Sequence, residues 1–211
     1  IIDDAALKEM GAGAIHAVGK GSKTPSRLIL LEYPGADGSG DPVVLVGKAI
    51  TFDTGGYSLK DSTNILGMKY DKCGAMATIG SVVAAASLGL KTRVIGVVAA
   101  AENMVSGEAY RPDDILTTLS GKTVEIISTD AEGRLVLADA LTYAARNLNP
   151  RAMVDFATLT GACVVALGKV RAGLLSTDDG LAEALFKAGE ATHERVWRLP
   201  MDEDYEQQIK G

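Results

Sequence analysis

The sequence predicts an α/β fold in which helices pack against a layered sheet. Short apolar runs typical of buried strands alternate along the chain with runs of helical composition, many of them rich in small residues. One of these runs, residues 93–100, is almost continuously apolar, as parallel strands covered on both faces are. Apolar residues make up 47% of the 211 positions, which is enough to bury a substantial core.

Local composition places the elements in order. An N-terminal helix would be capped by Asp3 or Asp4 and ended by glycines at 11 and 13. Residues 34–42 read as a turn, and residues 50–72 as a loop in which Gly55 and Gly56 permit close backbone approach. The predicted strands are residues 27–33, 43–46, 93–100, 115–118, 123–128, 152–157 and 173–176, and the further helices are 74–88, 135–145, 161–167 and 181–188.

Composition also indicates which binding partners and which cellular compartment to expect. The net charge of −6 argues against a basic surface for nucleic acid or for a membrane, so neither partner is expected. No apolar run approaches the roughly 18 residues of a membrane span, and no signal peptide is visible. Cys73 and Cys163 form neither a CxxC motif nor a disulfide ladder, which fits a reducing cytoplasm.

The segment from Ser128 to Leu135 carries the strongest chemical signal. It places Asp130 and Glu132 two residues apart and Arg134 two further on, between a strand-like and a helix-like run. Charged groups at such a junction in an α/β protein are typical of active sites. The two carboxylates would repel each other unless a cation bridged them. The segment therefore predicts a divalent metal site, with Arg134 directed at a neighbouring anion.

A second group of charges lies between residues 47 and 71. Lys48 follows an apolar strand, Asp53 stands among glycines, Lys60 lies further along the same loop, and Asp71 precedes a small-residue helix. Taken singly, each has an ordinary interpretation as a surface lysine, a turn residue or a helix cap. Together with the two acids of the first segment, the aspartates form an oxygen-rich set that suits two divalent cations.

Histidine chemistry is not expected. The sequence has two histidines, His16 and His193, neither of them near a carboxylate motif, and it lacks HExxH. Both are interpreted as structural.

Several motifs in order resemble the leucyl (cytosol) aminopeptidase family, from about residue 5 to the last residue. The core motifs are VGKAITFDTGGYSLK at 46–60, MKYD at 68–71 and TDAEGRL at 129–135, with further matches in ATLTGA at 157–162 and VWRLP at 196–200. The resemblance implies a three-layer αβα fold with a mixed, mostly parallel sheet flanked by helices. It also implies a metal-dependent exopeptidase that removes N-terminal amino acids from peptides by means of a water activated by two metal ions.

The resemblance assigns roles to individual residues. Two divalent ions, zinc or manganese, would be the cofactors. Asp53 and Glu132 would bind both ions, Lys48 and Asp71 would complete one site, and Asp130 would complete the other.

Lys60 would contact the substrate carbonyl, and Arg134 would hold a bicarbonate that works as the base. The positions that match the substrate side-chain pocket are Met68, Thr158, Leu159 and Gly161.

The resemblance also carries expectations about domains and assembly. Residues 1–25 would be a linker and helix leading into a catalytic domain at 26–211, which would be incomplete at its C-terminus, with the family's N-terminal domain absent. The family forms homo-hexamers, so a hexamer is expected of the full-length protein. Two alternatives stay open. One is an inactive or truncated subunit with a structural role. The other is a two-metal phosphoesterase, against which the scarcity of histidines argues.

Overall fold

The computed structural model describes residues 1–38 and 40–209, so Ser39 in the predicted turn and the last two residues of the predicted domain lie outside the described residues. The chain forms two compact units, residues 1–159 and residues 160–211. The strands are β1 (Ile2–Asp3), β2 (Arg27–Tyr33), β3 (Val43–Asp53), β4 (Val94–Asn103), β5 (Ile115–Thr117), β6 (Thr123–Glu125), β7 (Ala152–Phe156), β8 (Ala172–Leu174) and β9 (Val196–Arg198). The helices are α1 (Asp4–Glu9), α2 (Gly13–Gly19), α3 (Cys73–Ser87), α4 (Glu132–Asn147), α5 (Gly161–Leu167) and α6 (Asp179–Thr192), and 3₁₀ turns cover Met68–Tyr70, Thr129–Ala131 and Glu203–Ile209.

The first unit is built on a five-stranded mixed sheet with the order β1-β2-β4-β3-β7. Strand β3 runs parallel to both β4 and β7, whereas β2 is antiparallel to β4 and to β1. Four of the five strands therefore point the same way. A mixed, mostly parallel sheet flanked by helices is what the sequence predicted, and the α/β fold class is confirmed.

Helices cover both faces of this sheet. On one face α3 packs its small residues against β3 and β4, where Ala75 contacts Ala49 and Val98. The approach is close enough that a Cβ on Gly47 would lie 2.6 Å from the Cα of Ala75. On the other face α4 packs on both of these strands, α2 packs on β4 and on α4, and together they complete the larger core. These contacts give three layers, with the central strands buried on both sides.

Strand β3 is longer than the sequence predicted. The prediction ended it at Val46, but it continues to Asp53 because β4 supplies a parallel partner as far as Asn103. Pairing and burial outweigh the poor strand propensity of Gly47 and the charge of Lys48. Lys48 consequently lies inside a central strand and not in a loop.

Helix α2 was not predicted at all. Its first turn is capped by Asp139 of α4, whose Oδ2 accepts hydrogen bonds from the main-chain N–H groups of Ala14 and Ile15 at 2.9 Å each. The Oδ1 atom of Asp139 accepts a third bond, from the N–H of Leu119 at 2.7 Å. Burial raises the pKa of Asp139, although the three N–H donors oppose this. A cap supplied from over 120 residues away leaves no local sequence signal.

The second unit is small and has its own two-stranded parallel sheet of β8 and β9. The Trp197 ring meets Phe186 of α6 edge-on, with ring centroids 6.3 Å apart, and the Arg171 guanidinium lies 5.5 Å from the centroid of the Trp197 ring. The helices within residues 1–38 and 40–209 include none that is both long and apolar enough to cross a lipid bilayer.

Candidate metal centre

Strand β3 supplies two of the predicted side chains, Lys48 and Asp53. They are five positions apart, so regular alternation would place them on opposite faces of the sheet. The pairing of β3 with β4 is irregular between Ile50 and Asp53, and such irregularities redirect side chains near functional sites. Both side chains are buried, each with 2% of its surface exposed.

The other predicted ligands come from segments that begin helices. Asp71 follows the 3₁₀ turn Met68–Tyr70 and precedes α3. Asp130 lies in the 3₁₀ turn Thr129–Ala131, where the hydroxyl of Ser128 accepts a hydrogen bond from its N–H. Glu132 is the first residue of α4. Asp71 and Glu132 are buried, whereas Asp130 is exposed.

Lys48 lies between two of these carboxylates. Its Nζ is 2.9 Å from Oδ1 and 2.8 Å from Oδ2 of Asp71, and 2.8 Å from Oε1 of Glu132. It also donates to the main-chain carbonyl of Thr158 at 2.7 Å. The hydroxyl of Thr158 donates to Asp71 Oδ1 at 2.6 Å, so the predicted pocket residue Thr158 contacts two predicted metal ligands.

Lys60 makes the corresponding contacts with the other two carboxylates. Its Nζ lies 3.1 Å from Oδ2 of Asp53 and forms a short ion pair with Oδ1 of Asp130. Burial by itself lowers the pKa of Lys60, but the hydrogen bonds and charges of Asp130 and Asp53 outweigh it and raise the pKa to about 12. Lys60 is therefore a cation at neutral pH and cannot act as a base.

The carboxylates themselves converge on one place. Asp53, Asp130 and Glu132 each present an oxygen within 4.8 Å of the others. The Oε2 atom of Glu132 is buried and has no hydrogen-bond partner among the residues that the structure describes. Burial raises the pKa of Glu132 to about 7, against the opposing charge of Lys48, and burial also raises the pKa of Asp71.

These observations fit a site for hard or borderline divalent cations. Converging carboxylate oxygens are the donors that such cations prefer. A buried, unpartnered carboxylate oxygen is costly and is expected to have a ligand. The pKa of Glu132 is raised because its carboxylate is buried and the charge of Lys48 offsets only part of the cost of burying it.

Glycines in both motifs allow this crowding. A Cβ on Gly133 would lie 2.9 Å from Nζ of Lys48 and 2.8 Å from Cδ2 of Leu159. A Cβ on Gly56 would lie 2.8 Å from the hydroxyl oxygen of Thr129, and φ at Gly56 is +64°, a conformation that side-chain-bearing residues rarely adopt. The glycine between Glu132 and Arg134 thus makes room for the lysine that contacts Glu132.

A supporting network was missed by the sequence analysis. Asn103, at the end of β4, donates from Nδ2 to Oδ1 of Asp53 at 2.8 Å and to the carbonyl of Thr129 at 3.0 Å. The buried hydroxyl of Tyr110 donates to the same carbonyl at 2.7 Å. The Thr129 hydroxyl donates to the carbonyl of Gly55 at 2.6 Å, which joins the two motifs directly. A polar residue closing an apolar strand was a usable signal for Asn103, whereas Tyr110 offered none.

The remaining predicted residues are less closely tied to the cluster. Arg134 is exposed in the first turn of α4, and within residues 1–38 and 40–209 its guanidinium has no hydrogen bond or ion pair. Met68 opens the 3₁₀ turn that leads to Asp71, and Leu159 is half exposed beside Gly133. Gly161 opens α5 in the second unit, whereas the cluster belongs to the first.

Comparison with known proteins identifies the family. The model of the cytosol aminopeptidase family, catalytic domain, matches residues 1–211. The chain belongs to the cytosol aminopeptidase family. A probable cytosol aminopeptidase from Saccharophagus degradans is 54% identical over 203 residues, covering 96% of this chain and 40% of that protein. One from Acinetobacter baylyi is also 54% identical, over 207 residues that cover 98% of this chain and 42% of that protein.

A solved structure supports the same membership in the cytosol aminopeptidase family. The leucine aminopeptidase of Caenorhabditis elegans superposes with a TM-score of 0.92 and 37% identity, over 96% of this chain and 41% of that one. The chain therefore spans about 40% of the length of the relatives that it matches. The resemblance read from the sequence motifs is confirmed.

Proposed function

We propose that the chain carries the catalytic centre of a metal-dependent aminopeptidase, which hydrolyses N-terminal amino acids from peptides. The main support is the convergence of Asp53, Asp130 and Glu132, which each present a carboxylate oxygen within 4.8 Å of the others. A buried oxygen of Glu132 also has no hydrogen-bond partner in the described part of the chain. Family membership supports the reaction class, and the relatives' names specify aminopeptidases. On the basis of these names and the composition of the chain, we infer a cytoplasmic location.

Two divalent ions, zinc or manganese, are the proposed cofactors. Asp53 and Glu132 would bind both, Lys48 and Asp71 one, and Asp130 the other. Ions held there would supply Lewis acidity and an activated water near neutral pH. Lys48 would take part through its neutral amine. This requires it to give up its present ion pairs with Asp71 and Glu132, whose charges would then face the ions instead.

Lys60 is proposed to stabilise the developing oxyanion of the scissile carbonyl. Its ammonium is held by Asp53 and Asp130 at the edge of the cluster, and in the metal-free structure their hydrogen bonds and charges raise the pKa of Lys60. A fixed cation at the position where negative charge develops stabilises the transition state more than the ground state. Lys60 would therefore contribute charge and orientation without exchanging a proton.

Arg134 is proposed to hold a bicarbonate, which would supply a base for the reaction. Its guanidinium is exposed, two residues after Glu132, and has no carboxylate partner in the described part of the chain. A planar guanidinium can bind a carboxylate-like anion through two parallel hydrogen bonds. Neither histidine is near the cluster in sequence, and the family resemblance implies that an anion held by Arg134 would serve as the base.

The substrate would be a peptide with a free α-amine. Binding of that amine at the acidic cluster would account for exopeptidase selectivity. The positions that the family resemblance suggests for binding the substrate side chain are Met68, Thr158, Leu159 and Gly161. For the full-length protein we propose a homo-hexamer, with an N-terminal domain preceding the catalytic domain at 26–211 and residues 1–25 leading into it.

The test is metal-dependent hydrolysis of an aminoacyl anilide by the full chain after dialysis against a chelator. Addition of Zn²⁺ or Mn²⁺ should give anilide hydrolysis and about two bound ions per chain by elemental analysis. Glu132→Gln should lower the rate by at least about a thousandfold, because one residue serves both ions. Glu125→Gln is the matched control. Glu125 is an exposed carboxylate on β6, so this variant should leave the rate unchanged.

Two results would redirect the assignment. Hydrolysis of a phosphate ester without any anilide release would favour a two-metal phosphoesterase. Two bound ions without turnover of either substrate would favour an inactive subunit with a structural role. Loss of activity in Glu132→Gln with two metal ions still bound would contradict the proposed bridging role.

A further inference from the structure

One buried side chain contacts both halves of the proposed metal centre. Asn103 uses its single amide nitrogen to donate to Oδ1 of Asp53, at the end of β3, and to the carbonyl of Thr129, at the start of the turn that carries Asp130. We propose that Asn103 is a positioning residue, which orients Asp53 and that turn for cation binding. The inference rests on the proposed function and concerns the geometry of its ligands.

The orientation of the Asn103 amide is determined by these two acceptors. Turning the amide over would place its oxygen against Asp53 Oδ1 and the Thr129 carbonyl, which are both acceptors. In the observed orientation Oδ1 of Asn103 is buried and has no hydrogen-bond partner in the described ranges 1–38 and 40–209. A bare buried acceptor is destabilising. The Asn103 side chain thus donates hydrogen bonds to Asp53 and Thr129 while its own oxygen has no donor. This is expected of a residue whose role is to orient its neighbours.

The contact determines which oxygen of Asp53 faces the cluster. Oδ1 accepts two hydrogen bonds, from Asn103 and from the main-chain N–H of Gly55 at 2.9 Å. Oδ2 points the other way and lies 3.1 Å from Nζ of Lys60. Nζ of Lys60 also pairs with Oδ1 of Asp130, so Oδ2 is the Asp53 oxygen on the side of that second acid, and Asn103 fixes the carboxylate plane that places it there. Hydrogen-bond partners that orient ligand side chains in this way typically contribute 10- to 100-fold to metal affinity.

Tyr110 provides a comparison within the same network. Its hydroxyl donates to the carbonyl of Thr129, as Asn103 does, but the structure gives it no bond to Asp53. Tyr110→Phe therefore removes one support of the turn and leaves the aspartate untouched. Asn103→Leu, a change to a side chain of similar size, removes the hydrogen bonds to Asp53 and to the Thr129 carbonyl, and it also removes the unpartnered Oδ1 of Asn103.

The experiment measures Mn²⁺ affinity of the full chain by isothermal titration calorimetry. Asn103→Leu should bind Mn²⁺ about 10- to 100-fold more weakly than wild type. Its metal-free melting temperature should stay within about 4 °C of wild type, because Gly55 and Tyr110 still satisfy the two acceptors. Tyr110→Phe should show a smaller loss of affinity. Asp139→Ala, whose bonds all go to α2 and Leu119, is a destabilised control that should keep its Mn²⁺ affinity.

Each outcome decides the proposal. Wild-type affinity in Asn103→Leu would overturn it, and so would an equal loss in Asp139→Ala, since the effect would then follow stability alone. An equal loss in Tyr110→Phe would overturn the role assigned through Asp53. Absence of Mn²⁺ binding by wild type would refute the proposed metal centre and this inference with it, whereas wild-type binding with an unaffected Asn103→Leu would refute this inference alone.

Discussion

The buried carboxyl group that begins α4 should make the stability of the metal-free chain depend on pH. Glu132 is 2% exposed, and burial raises its pKa from an ordinary value of 4.5 to about 7. The folded chain therefore holds this proton more tightly than the unfolded chain, and the free energy of unfolding falls as the pH rises from 4.5 to about 7. About two and a half pH units separate the two values, at ~1.4 kcal/mol each, so the loss is roughly 3 kcal/mol.

Glu132→Gln removes the titration without changing the shape of the side chain. Relative to wild type, the free energy of unfolding of the variant should rise by roughly 3 kcal/mol between pH 4.5 and pH 7.5. The assay is urea unfolding of both proteins at both pH values after metal removal. Glu125→Gln, on the exposed face of β6, should show no such divergence. A difference between wild type and Glu132→Gln that stays constant within about 0.5 kcal/mol would refute the reasoning.

Three further substitutions test other parts of the structure. Asp139→Ala should lower the free energy of unfolding by at least about 3 kcal/mol in urea titrations, because three main-chain N–H groups lose their acceptor, and a change below about 1 kcal/mol would contradict this. Gly133→Ala should weaken Mn²⁺ binding about tenfold with an unchanged circular dichroism spectrum, because its Cβ would displace Nζ of Lys48; wild-type affinity would argue against that contact. Arg134→Ala should slow anilide hydrolysis about a hundredfold at unchanged metal content, and equal rates would remove the anion-base proposal.

Local composition was sufficient for the layered α/β fold but not for its longest strand. The prediction stopped β3 at Val46, since Gly47 and Lys48 are poor strand residues in isolation. Their conformation is set by β4 and β7 on either side and by α3 above, and a single sequence carries no direct record of these neighbours. The same holds for α2, because its cap, Asp139, comes from a distant helix.

The candidate site was more predictable than the fold around it. Four of the five proposed ligands are carboxylates that the residue pattern had grouped, and the family resemblance added Lys48; all five lie together, on β3 and at the starts of helices. Asn103 and Tyr110 were missed because their importance depends on hydrogen bonds to distant residues, from Asn103 to Asp53 and Thr129 and from Tyr110 to Thr129. Periodicity and composition predict which residues are brought near one another, but not which of them support the others.

Without metal ions, the charges of the cluster are not balanced. Two lysines face four carboxylates, so the site carries excess negative charge. Three of the four carboxylates are buried. The consequences are visible in the raised pKa values of Asp71 and Glu132 and in the unpartnered oxygen of the latter. Local conflicts of this kind are expected where function opposes stability. With divalent cations bound, the excess would become positive. A site of that sign favours an anionic nucleophile and a developing oxyanion, so the same residues that weaken the metal-free fold would assist the proposed hydrolysis.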